Sequence, residues 1–272
     1  MKKTQLTPHM PAVCHAVSAR SARVAHLLVG CAAAFLLCAL LLAPTATVFA
    51  QHKFSKTYPA RRNVRLQLNN RSGEIDVVGW DRDEIKITAD MEAPAARFTP
   101  VLKEDGLWID VMSDTRGRED VGDVNFRIQV PYGSTVDLET RRGNITVHNI
   151  QGAMVRAVVF SGGDINLTGI RVNRVMASNI SGNILFDADL MRGGMYELTS
   201  TQGDINLRIN AGSGFNLTAT APRTRSINLG DFAGKGSWDF QSNNRRVVGT
   251  VGDGSATLNT TNWRGSIVFV SR

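Results

Sequence analysis

The sequence predicts an all-β chain folded as a single β-solenoid, a coiled stack of rungs of about 20 residues each. Three observations carry this. A motif of glycine, a small polar residue and isoleucine recurs along the chain, the residues after each copy alternate apolar with polar, and no stretch beyond residue 50 has the spacing of an amphipathic helix.

The copies read "SGEIDV" from residue 72, "RGNITV" from 142, "GGDINL" from 162, "SGNILF" from 181, "QGDINL" from 202, "TRSINL" from 224 and "RGSIVF" from 264, with a weaker "DGSATL" from 253. Gly143, Gly163, Gly182 and Gly203 follow one another at 20, 19 and 21 residues. Two and four positions past the glycine stand pairs such as Ile145 and Val147, Ile165 and Leu167, or Ile205 and Leu207, which share one face of a strand. Twelve and fourteen positions past it stand Ile85 and Ile87, Val155 and Ala157, Val175 and Ala177, and Phe215 and Leu217, the inward face of a second strand. Turn formers such as Gly152, Asn173, Gly193 and Gly212 lie between the two. A unit this short encloses no core by itself, but stacked copies align their apolar columns into one interior, with strands about 4.8 Å apart.

The same two strands per unit would suit a β-sandwich of consecutive hairpins, and the period is close to that of leucine-rich repeats. Column identity at a fixed period favours stacking, and second segments such as "MVRAVVF" and "FNLTATA" read as strand rather than helix. The repeat region spans 63–272 and is interrupted by an insertion at about 92–133, which holds strand-like "LWIDVM" and "VNFRIQVP" around a charged loop. Residues 51–62 read as a linker or cap. Toward the end the pattern decays, with Arg225 in the glycine position, as terminal units that close a core commonly do.

Residues 1–50 differ in kind: they hold all three cysteines, four of the 31 basic residues and none of the 24 acidic ones. Lys2, Lys3, Arg20 and Arg23 precede an apolar run from Leu27 to Leu42, and Val48-Phe49-Ala50 offers the small residues of a cleavage site. This is a signal peptide or, uncleaved, an N-terminal membrane anchor; either exports the chain from residue 51 onward to the periplasm, the cell surface or the medium. The exported part has no cysteine, so neither disulfides nor thiolate metal sites are available to it. Its charge is uneven: 51–140 carries 13 basic and 16 acidic residues, 141–272 carries 14 and 8.

With the repeats located, "NRSGEIDVVGWDRDEIKITA", "VPYGSTVDLETRRGNITV" and the serial glycine-Asx-isoleucine units behind an apolar leader resemble the bacterial β-strand-repeat family labelled "putative adhesin", a domain family of unknown function, and are similar to the head-GIN adhesins. The resemblance covers about 60–270. It implies a right-handed β-helix-like solenoid in the cell envelope and brings no active-site motif with it.

Chemistry is sparse. Asp164 and Asp204 occupy one motif position two rungs apart with Asn183 between them, so stacking sets their backbones about 9.6 Å apart, near the upper end of an inverting glycosidase pair. Asp and Asn are also the residues that bond backbone at a turn after glycine, and Asn144 and Ser226 fill the same slot elsewhere. Asp187 and Asp189 share one strand side, but the nonapeptides of calcium-binding β-rolls are absent. Only His52 and His148 lie beyond the leader, neither in a ligand-spaced cluster, and "SGGDINLTG" enters a strand rather than the helix a phosphate loop needs. The expectation is no catalytic group, no metal and no cofactor. Arg156, Arg174, Arg208, Arg223, Arg225, Arg245 and Arg246 take outward or turn positions in the basic half. With Asp164, Asn183 and Asp204 they form the candidate ligand-binding set, suited to the carboxylates or phosphates of an acidic glycan or other envelope component. Exposed aromatics interleaved with them are not evident, which argues against nucleic acid, and the four tryptophans are expected in the core. The sequence therefore points to an exported, non-enzymatic, adhesin-like or scaffold protein; a polysaccharide-acting enzyme and an envelope-stress accessory domain that binds another envelope protein are the alternatives. Membrane contact is expected only through the N-terminal segment.

Overall fold

The computed structural model describes residues 52–223, 226–241 and 245–272. The leader and Arg225 lie outside the described residues. Among those described, no helix is long and apolar enough to cross a membrane.

The glycine motif is the corner of a rung. β2 (Arg65–Ser72) turns through Gly73 into β3 (Ile75–Trp80); likewise β8 (Thr135–Arg142) leads to β9 (Ile145–His148), β10 (Met154–Gly162) to β11 (Ile165–Ile170), β12 (Arg174–Ser181) to β13 (Ile184–Ala188), and β14 (Met195–Gln202) to β15 (Ile205–Ile209). The strand before each corner joins one sheet of 11 strands and the strand after it joins another of 10. Successive rungs pair in parallel and in register, Val155 beside Val175 and Ile165 beside Ile184, which places like residues in columns. Ile145, Val147, Ile165, Leu167, Ile184, Ile205 and Leu207 from the 10-stranded sheet meet Val155, Ala157, Val175, Ala177 and Leu198 from the other, all within 1% of full burial. The described residues form a two-sheet β-solenoid with one continuous core.

Glycine is required at the corners because the rungs approach there through backbone. A Cβ on Gly203 (φ +117°) would stand 2.1 Å from the carbonyl oxygen of Gly182, and one on Gly143, Gly163 or Gly182 would meet the preceding corner's carbonyl at 2.2, 2.1 or 2.4 Å. No side chain fits in that gap.

Stacking order departs from sequence order at both ends. The segment 92–133 interrupts the serial repeats yet supplies a rung of its own. It carries β5 (Val101–Leu102), β6 (Gly106–Asp110), a one-turn helix α1 (Val111–Asp114) and β7 (Val124–Pro131). β6 pairs in parallel with β2 and β7 with β3, so this rung lies outside the first. β4 (Glu84–Met91) then runs antiparallel to β7, and β1 (His52–Pro59) antiparallel to β4. Ile85 and Ile87 are buried as expected, but in this antiparallel strand of the 10-stranded sheet, because the turn at 81–83 sends the chain back instead of onward to the next rung.

The far end mirrors this. β16 (Phe215–Thr220) and β17 (Ile227–Asn228) are followed by an antiparallel hairpin of β18 (Gly236–Gln241) and β19 (Arg246–Val251), and the chain returns as β20 (Ala256–Asn262) and β21 (Ile267–Ser271). β20 and β21 slot between the β14–β15 rung and the β16–β17 rung. Gly265 allows it: its Cβ position lies 1.9 Å from the Gly203 carbonyl, so "RGSIVF" stacks directly on "QGDINL". β17, from the copy without a glycine, is left outermost in the 10-stranded sheet, and "DGSATL" opens a strand instead of making a corner. Phe232 closes the core at this end against Phe215 and Phe269, with ring centroids 5.4 and 6.4 Å away. Antiparallel strands cover the parallel edges of both sheets at the N-terminal end and of the 11-stranded sheet at the other, edges that would otherwise template another chain.

Candidate functional site

Asp164, Asn183 and Asp204 are brought together, as consecutive steps of a ladder on the outside of the corner. Asn144 Oδ1 accepts the backbone N–H of Asp164 at 2.9 Å, Asp164 Oδ1 that of Asn183 at 2.7 Å, and Asn183 Oδ1 that of Asp204 at 2.8 Å. Asp204 Oδ1 ends the run by accepting both the backbone N–H and the hydroxyl of Ser266, at 2.8 and 2.7 Å. Each side chain satisfies the next rung's backbone rather than its own. A second column lies on the inner side of the glycines, where buried Asn179 and Asn262 donate to the carbonyls of Gly163 and Gly203 at 3.1 and 2.7 Å. The corner is hydrogen-bonded from both sides, and its carboxylates serve the frame.

The arginines do not share one stripe. Arg156, on the outer face of the 11-stranded sheet, bonds Asp137 at 2.8 Å and also Glu139, while Arg65 holds the other oxygen of Asp137 at 3.0 Å. Partial burial disfavours the Arg156 charge, but its two carboxylate partners outweigh that and raise its pKa above the ordinary value. Arg208 lies on the opposite sheet against Asp187 at 3.5 Å. Arg174 begins β12 at the turn side, away from the corner. Arg223, Arg245 and Arg246 are exposed near the C-terminal end of the stack.

Arg245 and Arg246 line a cleft of about 470 Å³ together with Pro222, Asn262 and Trp263, and among the described residues no carboxylate lines it. None of the four tryptophans is fully buried, against the expectation that they belong to the core, and Trp263 is 64% exposed. Its exposure follows from parity: Ala256, Leu258, Thr260 and Asn262 alternate inward along β20, so the next residue points out. The same parity turns out Phe160 after Val159 and Ile180 after Asn179. Sequence reasoning passed over these three; counting from the last inward residue would have found all of them.

The remaining candidates are tied internally. Asp187 and Asp189 are met by guanidinium groups, Arg272 at 2.7 Å from Asp187 and Arg171 at 3.5 Å from Asp189. His148 Nδ1 hydrogen-bonds the Thr168 hydroxyl on the next rung. Among the described residues no three His, Cys, Asp or Glu side chains converge as a metal site would require.

Several solved structures are similar to the chain, three of them as follows. A "putative cell adhesion protein" from Clostridium sporogenes is 10% identical, with 81% of this chain and 98% of that one covered and a TM-score of 0.48. A "putative adhesin" from Bacteroides fragilis is 10% identical over 81% and 98% of the two chains, with a TM-score of 0.36. A "putative lipid binding protein" from Parabacteroides distasonis is 11% identical over 80% and 97%, with a TM-score of 0.32. No curated protein matches the sequence. The profile of one family spans residues 57–261, from the first edge strand to the penultimate strand of the last rung, and by that match the chain belongs to the Toastrack DUF4097 family.

Proposed function

We propose that this chain is an exported, non-enzymatic protein of the cell envelope, adhesin-like or scaffold in character, which holds an acidic envelope component against the C-terminal end of its solenoid. The observation that carries this reading is the cleft where Arg245 and Arg246 stand beside exposed Trp263 with no carboxylate among the described residues that line it. Two guanidinium groups offer forked donors to carboxylate or phosphate, and the indole offers a flat apolar face. Arg223, one residue past a lining proline, extends the positive field. The leader pattern supports export. The tying of Asp164 and Asp204 into the corner supports a scaffold over a polysaccharide hydrolase, which would need a carboxylate free to exchange protons.

Residues 52–272 enclose their own core and are the protein to test. Incubated with isolated bacterial envelopes, they are expected to co-sediment at low ionic strength and to be released by salt. Arg245→Ala/Arg246→Ala is expected to cut retention about tenfold, in line with the loss of two charge-assisted contacts. Protein that stays in the supernatant at every salt concentration would overturn the reading. Sequencing the N-terminus of the mature chain from fractionated cells tests export, with Gln51 the expected first residue.

A further inference from the structure

We propose that the glycine-corner edge of the 11-stranded sheet is a docking surface for an anionic lipid bilayer, with Phe160, Ile180 and Trp263 entering the headgroup region. This rests on the reading that the chain engages an acidic envelope component, and names its source.

The register makes the row. Asn179 pairs with Ser200 and Ser200 with Asn262, so Ile180 on β12, Thr201 on β14 and Trp263, directly past the end of β20, follow one another, and Phe160 precedes them on β10. Three strand steps span about 14 Å. Phe160, Ile180 and Trp263 are 52, 49 and 64% exposed, high for large apolar groups in line. The column on the outside of the other sheet is mostly polar by contrast, with Asp76, Thr146, Asn166 and Asn206 beside half-buried Leu185 and Val268.

Charge flanks the row at both ends. Arg141 and Arg142 lie on the preceding rung, while Arg264 follows Trp263 and Arg245 and Arg246 share its cleft. None of these five pairs with a carboxylate among the described residues. Glu74, Asp164 and Asp204 stand on the other side of the glycines, and the last two spend an oxygen on backbone N–H groups. An apolar line between cations matches an interface where acyl chains begin below a layer of phosphate, and Trp with Arg are the side chains suited to it. A second copy packed on this edge about a two-fold axis would bring arginine toward arginine, which disfavours self-association.

The test is sedimentation of residues 52–272 with vesicles of phosphatidylcholine, with and without phosphatidylglycerol. Binding is expected only to the anionic vesicles. Phe160→Ser/Ile180→Ser/Trp263→Ser is expected to weaken it at least about tenfold, since three interfacial apolar groups are lost. All three sites are exposed, so an unchanged urea midpoint is expected, and a second readout needs no triple variant: the emission that Trp263→Phe removes should shift to the blue when the parent meets anionic vesicles. Failure to bind these vesicles, equal binding by the triple variant, or concentration-dependent dimerisation abolished by the triple variant would each overturn the proposal. Protein that sediments with envelopes but not with anionic vesicles removes the lipid and leaves the broader reading standing; protein that sediments with neither removes both.

Discussion

Asp164 Oδ1 accepts the backbone N–H of Asn183 at 2.7 Å, so the carboxylate nearest in pattern to a catalytic group is a fastening between two rungs. An amide oxygen accepts the same bond, as Asn144 and Asn183 do in the same ladder. Asp164→Asn is therefore expected to leave stability within about 0.5 kcal/mol of the parent, and Asp164→Ala to cost about 1 kcal/mol by stranding one donor. Urea midpoints of the two variants decide it. Equal losses would mean that charge, not the acceptor, matters there.

Two left-handed glycines separate conformation from contact. Gly193 (φ +72°) has nothing within 4 Å of a Cβ position, whereas Gly203 (φ +117°) has the Gly182 carbonyl at 2.1 Å. Gly193→Ala is expected to cost about 1 kcal/mol for the backbone conformation alone. Gly203→Ala must also force two rungs apart, and a loss above about 3 kcal/mol is expected. Thermal melts of the pair should differ by several degrees.

The core was legible in the sequence because burial in a parallel stack repeats the same residue at the same step. Ile165 pairs with Ile145 on one side and Ile184 on the other, and all three are fully buried. The order of the rungs was not legible. β6, β7, β20 and β21 insert out of sequence, and what decides their place is backbone closeness at corners such as Gly265, not any side-chain pattern. Of the candidate site, the Asp164–Asn183–Asp204 ladder could be read from spacing alone. The arginines could not be grouped, because Arg156 and Arg208 fall on different sheets and each finds a carboxylate across a rung, a pairing that depends on register.

Tyr196 predicts an alkaline limit. Its hydroxyl is buried, donates to the Val172 carbonyl at 3.0 Å and accepts the Met191 N–H at 2.7 Å. Burial raises its pKa, so the folded state holds the proton after the unfolded chain has begun to lose it near pH 10. The stability this group contributes is complete below the unfolded pKa and is lost as pH rises from there through the folded pKa. Tyr196→Phe is expected to cost about 1–2 kcal/mol at neutral pH and to flatten the fall in urea midpoint above about pH 10. A variant with the same alkaline slope as the parent would assign the fall to other groups.

Asp137 joins three rungs, bonding Arg65 on β2 and Arg156 on β10 from its own place on β8, and it is 8% exposed. Removing it leaves two guanidinium groups in a half-buried row with only Glu139 to answer them, so Asp137→Ala is expected to cost about 2 kcal/mol. Arg156→Met keeps most of the apolar stem over the sheet and loses only the head. It should cost less, about 1 kcal/mol, because Asp137 retains Arg65. The two variants also separate frame from site. If Arg156 is committed to its carboxylates, Arg156→Met retains envelope binding in full while Arg245→Ala/Arg246→Ala does not. Loss of binding in Arg156→Met while the variant stays folded would move the contact surface to the middle of the sheet, where the salt bridges with Asp137 and Glu139 would have to open to admit a ligand.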